Sequence, residues 1–262
     1  MKGMYAVYRK EMGHYFVSPV AYIIVAVFLI ITAYFFTEIL TGYMQASFQA
    51  SMEEAQFGGG QAFDVPSLVM RSFFGVLSTI LLFITPMLTM SVYAEERRRG
   101  TMELLMTSPI TDLEIVLGKF FASLTLLVIM LLPTGIGFVY MLRHSEPAAP
   151  WRVLGSEYLG ILLLGGALLA LGSFFSSVTE SQLIAAMLSF GAILMLWVLN
   201  FGSGATSSAW ASGLEYLAAF RHYDDFTRGV IDTSNVIFYL SFIFLGIFLT
   251  VRSVDSMRWR RA

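Results

Sequence analysis

The sequence has 262 residues, of which 57% are hydrophobic and only 13% are charged, whereas soluble domains carry about 25% charged residues. Its formal net charge of −2 gives no basic surface of the kind that binds nucleic acid. Cysteine is absent, which excludes disulfides, thiolate metal sites and cysteine nucleophiles. The composition therefore predicts an integral membrane protein whose partners include the lipid bilayer and no nucleic acid.

Residues 1–18 precede the first long apolar run and place apolar side chains at helical spacing. The basic side chains lie elsewhere on the helical wheel. This pattern predicts an amphipathic helix lying in the membrane interface, with a plain charged flank that only sets topology as the alternative. The residues expected to define this helix, with its tyrosines at headgroup depth, are Tyr5, Tyr8, Arg9, Lys10 and Tyr15.

Six apolar runs follow, each long enough to cross about 30 Å of hydrocarbon as a helix. Their bounds are about 19–40, 72–93, 119–142, 157–178, 182–201 and 236–251. We expect an all-α membrane protein made of one transmembrane domain over residues 1–262. The connection 41–71 is polar and predicted to be mobile. Residues 202–235 are predicted to form interfacial or re-entrant helices, with a capping-box spacing from Ser212 to Glu215 and a helix stop at Gly229.

Lys and Arg are distributed unequally between the two sides of the membrane. With six crossings, the side that holds both termini and residues 94–119 collects eleven of them, and the other side collects five. Basic residues are retained on the cytoplasmic side of membranes. Both termini and the segment 94–118 are therefore predicted to be cytoplasmic.

The charged segment between the second and third runs has its own pattern of helix starts and stops. Glu95 and Arg99 have the i,i+4 spacing of a helical ion pair. Gly100 is predicted to end that helix, Thr101 to cap a second one, and Pro109 to stop the second. Thr111 then starts a capping box that leads into the third run. The result is a short cytoplasmic helix of about two turns between two breaks.

Four apolar side chains are predicted to be exposed on this short helix: Met102, Leu104, Leu105 and Met106. An isolated helix of two turns is not stable in water by itself. The four residues therefore either pack back on neighbouring segments or fill a groove in a partner protein. The residue pattern does not choose between these alternatives.

The stretch from Glu95 to Lys119 closely resembles the signature of ABC-2 type transporter permeases. It reads EERRRGTMELLMTSPITDLEIVLGK. The matching features are Gly100-Thr101, Glu103, Leu104-Leu105, Ser108-Pro109 and Gly118-Lys119. The basic N-terminal segment, Ser18-Pro19 and the six runs agree with the family, so the resemblance covers essentially the whole chain. Residues 229–234 and the tail from Arg252 to Trp259 are similar to the gliding-motility and nitrous-oxide-maturation branch.

The resemblance implies a membrane-spanning subunit of an ATP-driven exporter in the bacterial inner membrane. Such permeases pair with a second, identical or homologous permease subunit and with two cytoplasmic ABC ATPase subunits, which bind ATP and Mg²⁺. An extracytoplasmic accessory protein is a further expected partner. The short helix would be the coupling helix that docks in the ATPase. The implied ATPase-coupling residues are Glu95, Glu96, Arg97, Arg98, Arg99, Gly100, Thr101, Met102, Glu103, Leu104, Leu105, Met106, Ser108 and Pro109.

Motifs for chemistry within the chain itself are missing. No Gly-x-x-x-x-Gly-Lys-Ser/Thr loop is present, so we expect neither ATP hydrolysis nor a cofactor in this chain. Ionisable residues fall at or near the ends of the apolar runs, which disfavours an ion-coupled carrier. The uncharged candidates for a substrate pathway are Ser78, Thr79, Thr85, Thr125, Ser189 and Asn200. The alternative for each hydroxyl is a hydrogen bond to its own helix backbone.

Three other functions compete with the exporter. The first is a membrane anchor that transmits ATPase force to an extracytoplasmic machine without passing a substrate. The second is an intramembrane enzyme, which the lack of a polar catalytic constellation disfavours. The third is a secondary carrier, which the lack of charge within the apolar runs disfavours.

Overall fold

The computed structural model describes residues 2–57, 64–102, 109–144, 151–201 and 218–259. Within these ranges the regular structure is helical, without a β-strand. The helices are α1 (Lys2–Val17), α2 (Pro19–Phe57), α3 (Val65–Thr89), α4 (Ala94–Arg98), α5 (Asp112–Arg143), α6 (Trp151–Val178), α7 (Gln182–Val198), α8 (Ala219–Thr227) and α9 (Thr233–Trp259), with a 3₁₀ turn at Leu199–Phe201.

Among the described helices, five are long and apolar enough to cross a membrane. They are α2, α3 (with the turn and α4 that follow it), α5, α6 and α9. Helix α7 is also apolar but has only 17 residues. These findings confirm the prediction of an all-helical multi-pass membrane protein.

The described helix ends show the local signals that the sequence predicts. At Thr111, the backbone N–H of Glu114 donates to Thr111 Oγ1 at 3.3 Å and the backbone N–H of Thr111 donates to Glu114 Oε2 at 3.4 Å, which completes the capping box. Gly100 has a φ of +70°, a left-handed conformation that favours glycine. Its N–H donates to Arg97 O, and that of Thr101 donates to Glu96 O, so α4 ends in a Schellman motif.

Helix α2 is much longer than its predicted span. It runs for 39 residues, or about 58 Å at 1.5 Å per residue. The prediction of a mobile connection is therefore wrong for residues 41–57 and for residues 65–71, which belong to α3. The reason is local: after Gly42, residues 43–57 contain no glycine or proline and are rich in Met, Gln, Ala and Glu, which sustain a helix.

Helix α6 lies at the centre of the bundle, against α3, α5, α7, α8 and α9. Small residues on it allow this close packing, as membrane helices require. A Cβ on Gly166 would lie 3.2 Å from Ile243 Cδ1 on α9, and a Cβ on Gly246 of α9 would lie 2.8 Å from Ala170 Cβ. A Cβ on Gly165 would clash with Leu127 of α5. Glycine at positions 165 and 166 therefore lets α5 and α9 pack closely on α6.

Helix α1 lies along the first half of α5. A Cβ on Gly118 would lie 2.8 Å from Val7 Cβ and 2.9 Å from the carbonyl oxygen of Met4. Only glycine at this position lets the two backbones approach so closely. The side chains at positions 8 and 15 then reach across: Tyr8 Oη donates to Thr125 Oγ1 at 3.2 Å, and Tyr15 Oη lies 3.1 Å from Ser123 Oγ.

Candidate functional site

Lys119 joins three separate parts of the chain at the start of α5. Its Nζ lies 2.9 Å from Glu11 Oε1 on α1 and 3.0 Å from Glu96 Oε2 on α4. It also donates to the carbonyl oxygen of Val92 at 2.7 Å. The Lys119 side chain is only 1% exposed. A buried ammonium is costly unless it is paired and hydrogen-bonded, and here three oxygen atoms compensate it.

A second lysine balances the charge of this group. Lys10 Nζ lies 2.8 Å from Glu96 Oε1, the carboxylate oxygen that faces away from Lys119. We call Lys10, Glu11, Glu96 and Lys119 the Lys119 cluster. Its two ammonium groups and two carboxylates sum to zero net charge. Because removal of one member would leave the charges of the remaining three unbalanced, the cluster ties α1, α4 and α5 into one body.

The backbone at the start of α4 is fixed to the end of α6. Ser176 Oγ accepts hydrogen bonds from the N–H groups of Tyr93 and Ala94, at 3.1 and 3.2 Å, and donates to Met90 O at 3.1 Å. It thereby satisfies N–H groups that a helix start leaves without an intrahelical partner. Arg97 Nη1 donates to Ser177 O at 2.6 Å. The charged segment is therefore attached to the central helix as well as to α1 and α5.

Two of the three tyrosine residues of α1 that are predicted to lie at headgroup depth pack against α5. Tyr5 is 63% exposed, but Tyr8 and Tyr15 direct their hydroxyl groups to α5. Burial raises the pKa of Tyr15 to about 12, so its phenol stays protonated at physiological pH. The predicted headgroup depth of these tyrosines stays a prediction, while their contacts make α1 an integral part of the helical bundle.

The prediction that Met102 is exposed is wrong. Its side chain is only 4% exposed and packs in a small apolar cluster with Val92, Tyr93, Val116 and Val254. The reason is the tight turn at Gly100, after which the chain meets α5 and α9. Of the two alternatives for Met102, packing against neighbouring segments of the same chain is therefore the one observed.

The structure describes nine of the fourteen predicted coupling residues, 95–102 and Pro109. Glu95 and Arg99 form the expected i,i+4 ion pair at 2.5 Å. Glu96 pairs with the two lysines of the cluster. The remaining predicted residues lie outside the described ranges: Glu103, Leu104, Leu105, Met106 and Ser108.

Sequence reasoning missed several residues that hold the segment in place. Glu11 pairs with Lys119, Ser176 accepts from the N–H groups of Tyr93 and Ala94, and Glu180 Oε1 lies 3.5 Å from Arg97 Nη2. Glu11 had a signal: it lies four residues after Val7 and four before Tyr15, so a carboxylate interrupts an apolar stripe. The sequence gives no comparable signal for Ser176, because single serines are common in apolar helices.

A small polar cavity lies toward the opposite end of α3, between α3, α7 and α8. Its volume is about 290 Å³, and its lining includes the pathway candidates Ser78, Thr79 and Asn200 together with Arg71 and Asp224. Burial raises the pKa of Asp224. The hydroxyl groups of Ser78 and Thr79 also donate to the carbonyl oxygen of Gly75. These two residues therefore line the cavity and also make the hydrogen bond to their own helix backbone that was the alternative to a pathway role. The other three candidates do not line this cavity.

Two ionisable residues near the ends of apolar runs are buried more deeply than their positions suggested. Lys119 is neutralised by the cluster described above. Glu157 of α6 is fully buried, and neither carboxylate oxygen has a hydrogen-bond partner within the described part of the chain. The sequence predicts the positions of these residues along the helices, whereas their burial depends on how α1 and α8 fold over them.

Comparison with curated protein sequences gives no match. A family model described as "ABC-2 family transporter protein" matches residues 5–253, which is nearly the whole chain. This match covers α1 from Tyr5 onward, the charged segment, and α9 as far as Ser253, with the described helices between them. The chain therefore belongs to the ABC-2 family of transporter proteins and is a permease subunit of an ABC transporter.

Proposed function

We propose that this chain is the transmembrane subunit of an ATP-driven exporter, working with a second permease subunit and two cytoplasmic ATPase subunits. ATP and Mg²⁺ bind to the ATPases. Movement of the ATPases enters the permease through residues 95–109 and reaches the spans through the helices to which this segment is attached. The membrane is the bacterial inner membrane, and both termini face the cytoplasm.

The Lys119 cluster is the observation that carries this proposal. Its member Glu96 shortly precedes the predicted coupling helix in the sequence, and the cluster bridges α1, α4 and α5 by contacts of 2.8 to 3.0 Å. A loose loop would absorb a push from a partner, whereas a segment held by buried ion pairs and by Ser176 transmits it. The physical role of the cluster is therefore to make the input surface rigid.

A sixth crossing by α7 completes the proposed topology. Its 17 residues span about 26 Å, and the three-residue 3₁₀ turn adds about 6 Å. The sum matches the hydrocarbon thickness of about 30 Å. An even number of crossings places both termini on one side, and the excess of Lys and Arg there assigns that side to the cytoplasm.

Co-purification with the ATPase tests the proposed coupling. We expect the double variant Leu104→Asp/Leu105→Asp to lose the ABC ATPase that co-purifies with the wild-type chain, because two carboxylates cannot enter an apolar groove without large desolvation cost. The control is Met52→Asp, a charge introduced at an exposed apolar position near the far end of α2. The proposal fails if the double variant retains the ATPase as well as wild type does, or if no ATPase accompanies the wild-type chain.

The second candidate function is the force-transmitting anchor, and the length of α2 favours it. Beyond the first 30 Å of this helix, Met44, Phe48 and Met52 are exposed at spacings of four residues, which places them along one side. Such a stripe suits contact with an extracytoplasmic partner. Sealed vesicles holding only the permease and its ATPase separate the two functions, because an exporter moves substrate there and an anchor does not.

A further inference from the structure

The largest mixed cavity among those described lies at the elbow between α1 and α2. Its volume is about 470 Å³, within the usual 300 to 1,000 Å³ of ligand pockets. Its walls come from both sides of the elbow, the end of α3, α4, one residue of α5 and the start of α7. Its lining includes three of the predicted coupling residues, Glu95, Arg98 and Arg99.

The cavity is polar at one end and apolar along its length. Arg98, Arg99 and His14 contribute to the polar end, together with Glu95. Because Arg99 and Glu95 pair at 2.5 Å, their charges cancel. Arg98 is exposed and makes no hydrogen bond or ion pair within the described part of the chain, so its guanidinium is the uncompensated charge of the cavity.

The apolar part runs along the first turns of α2 and the last turns of α3. Ala21 and Ile24 line it on α2, and Met87 and Leu88 line it on α3. The rim is open to the membrane, because Val20 is 51% exposed and Met87 is 44% exposed. Since α2 starts its crossing at Pro19 and α4 follows the crossing of α3, the basic end lies at the level of lipid headgroups and the apolar part at the level of acyl chains.

We propose that this cavity binds one anionic phospholipid. The phosphate accepts hydrogen bonds from Arg98, and an acyl chain lies against α2 and α3. A guanidinium binds a phosphate through planar, charge-assisted hydrogen bonds, and basic pockets between membrane helices bind anionic headgroups. A zwitterionic lipid offers the same chains but carries an ammonium that Arg98 repels. The bound lipid would brace the α1–α2 elbow against α4, next to the coupling segment.

Native mass spectrometry of the purified full-length chain tests this proposal without ATP or ATPase. The probes are 1-palmitoyl-2-oleoyl phosphatidylglycerol, the phosphatidylcholine with the same chains, and inorganic phosphate. We expect one phosphatidylglycerol to be retained in preference to phosphatidylcholine. Arg98→Gln should lower phosphatidylglycerol affinity about tenfold, the loss expected for one charge-assisted contact. Arg143→Gln, which changes an exposed arginine at the end of α5 outside the cavity, should leave that affinity unchanged.

A second variant tests the apolar part of the site. Ala21→Phe fills the cavity and should also abolish preferential phosphatidylglycerol binding, with folding checked by thermal unfolding; if this variant does not fold, Arg98→Gln decides. Equal retention of the two lipids overturns the proposal, as does unchanged binding by Arg98→Gln. Inorganic phosphate bound as tightly as the lipid also overturns it, because the site would then be a simple anion site. None of these results depends on ATPase association, so this proposal and the exporter proposal fail separately.

Discussion

Lys119 illustrates how a single residue links a sequence motif to a mechanical role. In the family signature it follows Gly118, and the structure gives a physical reason for the pair. Gly118 removes the side chain that would block α1, and Lys119 then fills the space between Glu11 and Glu96 with the opposite charge. The glycine permits the approach of α1, and the lysine makes that approach favourable.

Replacement of Lys119 by methionine tests this role. We expect Lys119→Met to lower the free energy of unfolding by about 3–5 kcal/mol, because the carboxylates of Glu11 and Glu96 then keep only the exposed Lys10 ammonium as a counter-charge. For a chain of this size that corresponds to a fall of at least about 6 °C in Tm, measured on the purified protein in detergent. Adding Glu11→Gln and Glu96→Gln to the same variant should restore part of the loss. An unchanged Tm for Lys119→Met, or no recovery in the triple variant, would contradict the assigned role.

At the scale of elements, the notable pair is α1 with α5. The N-terminal helix is predicted as an interfacial helix, and the structure shows it fixed along α5 through Gly118 and two tyrosine hydroxyl groups. Helix α4 is fixed in turn by Ser176 and ends in the Schellman motif at Gly100. The three elements therefore move together when a partner pushes on the segment that follows.

Larger side chains at Gly118 should separate α1 from α5. We expect Gly118→Leu to destabilise the protein by about 1–3 kcal/mol through overpacking, with a broader distance distribution between spin labels at the exposed positions Tyr5→Cys and Leu113→Cys. The labels are specific because the chain has no native cysteine. Gly75→Leu is the matched control, since a Cβ there meets nothing within 4 Å. Equal destabilisation by the two substitutions would show that packing on α1 does not explain the loss.

The local signals could be predicted from the sequence because they depend on neighbouring residues. The capping box at Thr111, the stop at Gly100 and the pairing of Glu95 with Arg99 all follow from spacings of three to five residues. The pairing of Glu96 could not be predicted in this way, since Lys10 lies 86 residues away. Burial of Met102 and Glu157 depends on the same kind of distant contact. The extension of α2 has another cause: residues 43–57 are polar, which is typical of a connection between spans, but they are also residues that favour a helix.

At the scale of the whole molecule, the Lys119 cluster lies at the end of α3 next to α4, and three of the six pathway candidates, Ser78, Thr79 and Asn200, lie toward its other end. Between them, α6 packs closely on α3, α5 and α9 through small residues. This arrangement suits a permease that receives force at one end and opens a route elsewhere. We therefore expect substitutions in the Lys119 cluster to affect coupling to the ATPase. Substitutions at Arg71 or Asp224, which line the polar cavity, should instead affect passage of the substrate.

The central claim is that an ATPase contacts the segment 101–109 and drives the permease from that side. Site-specific photo-crosslinking in intact cells tests it most directly, with p-benzoylphenylalanine in place of Leu105 or, as the control, in place of Met52 near the other end of the 39-residue α2. We predict an ultraviolet-dependent product between position 105 and an ABC ATPase, and no such product from position 52. An ATPase product from position 52, or its absence from position 105 in a complex that contains the ATPase, would contradict the account.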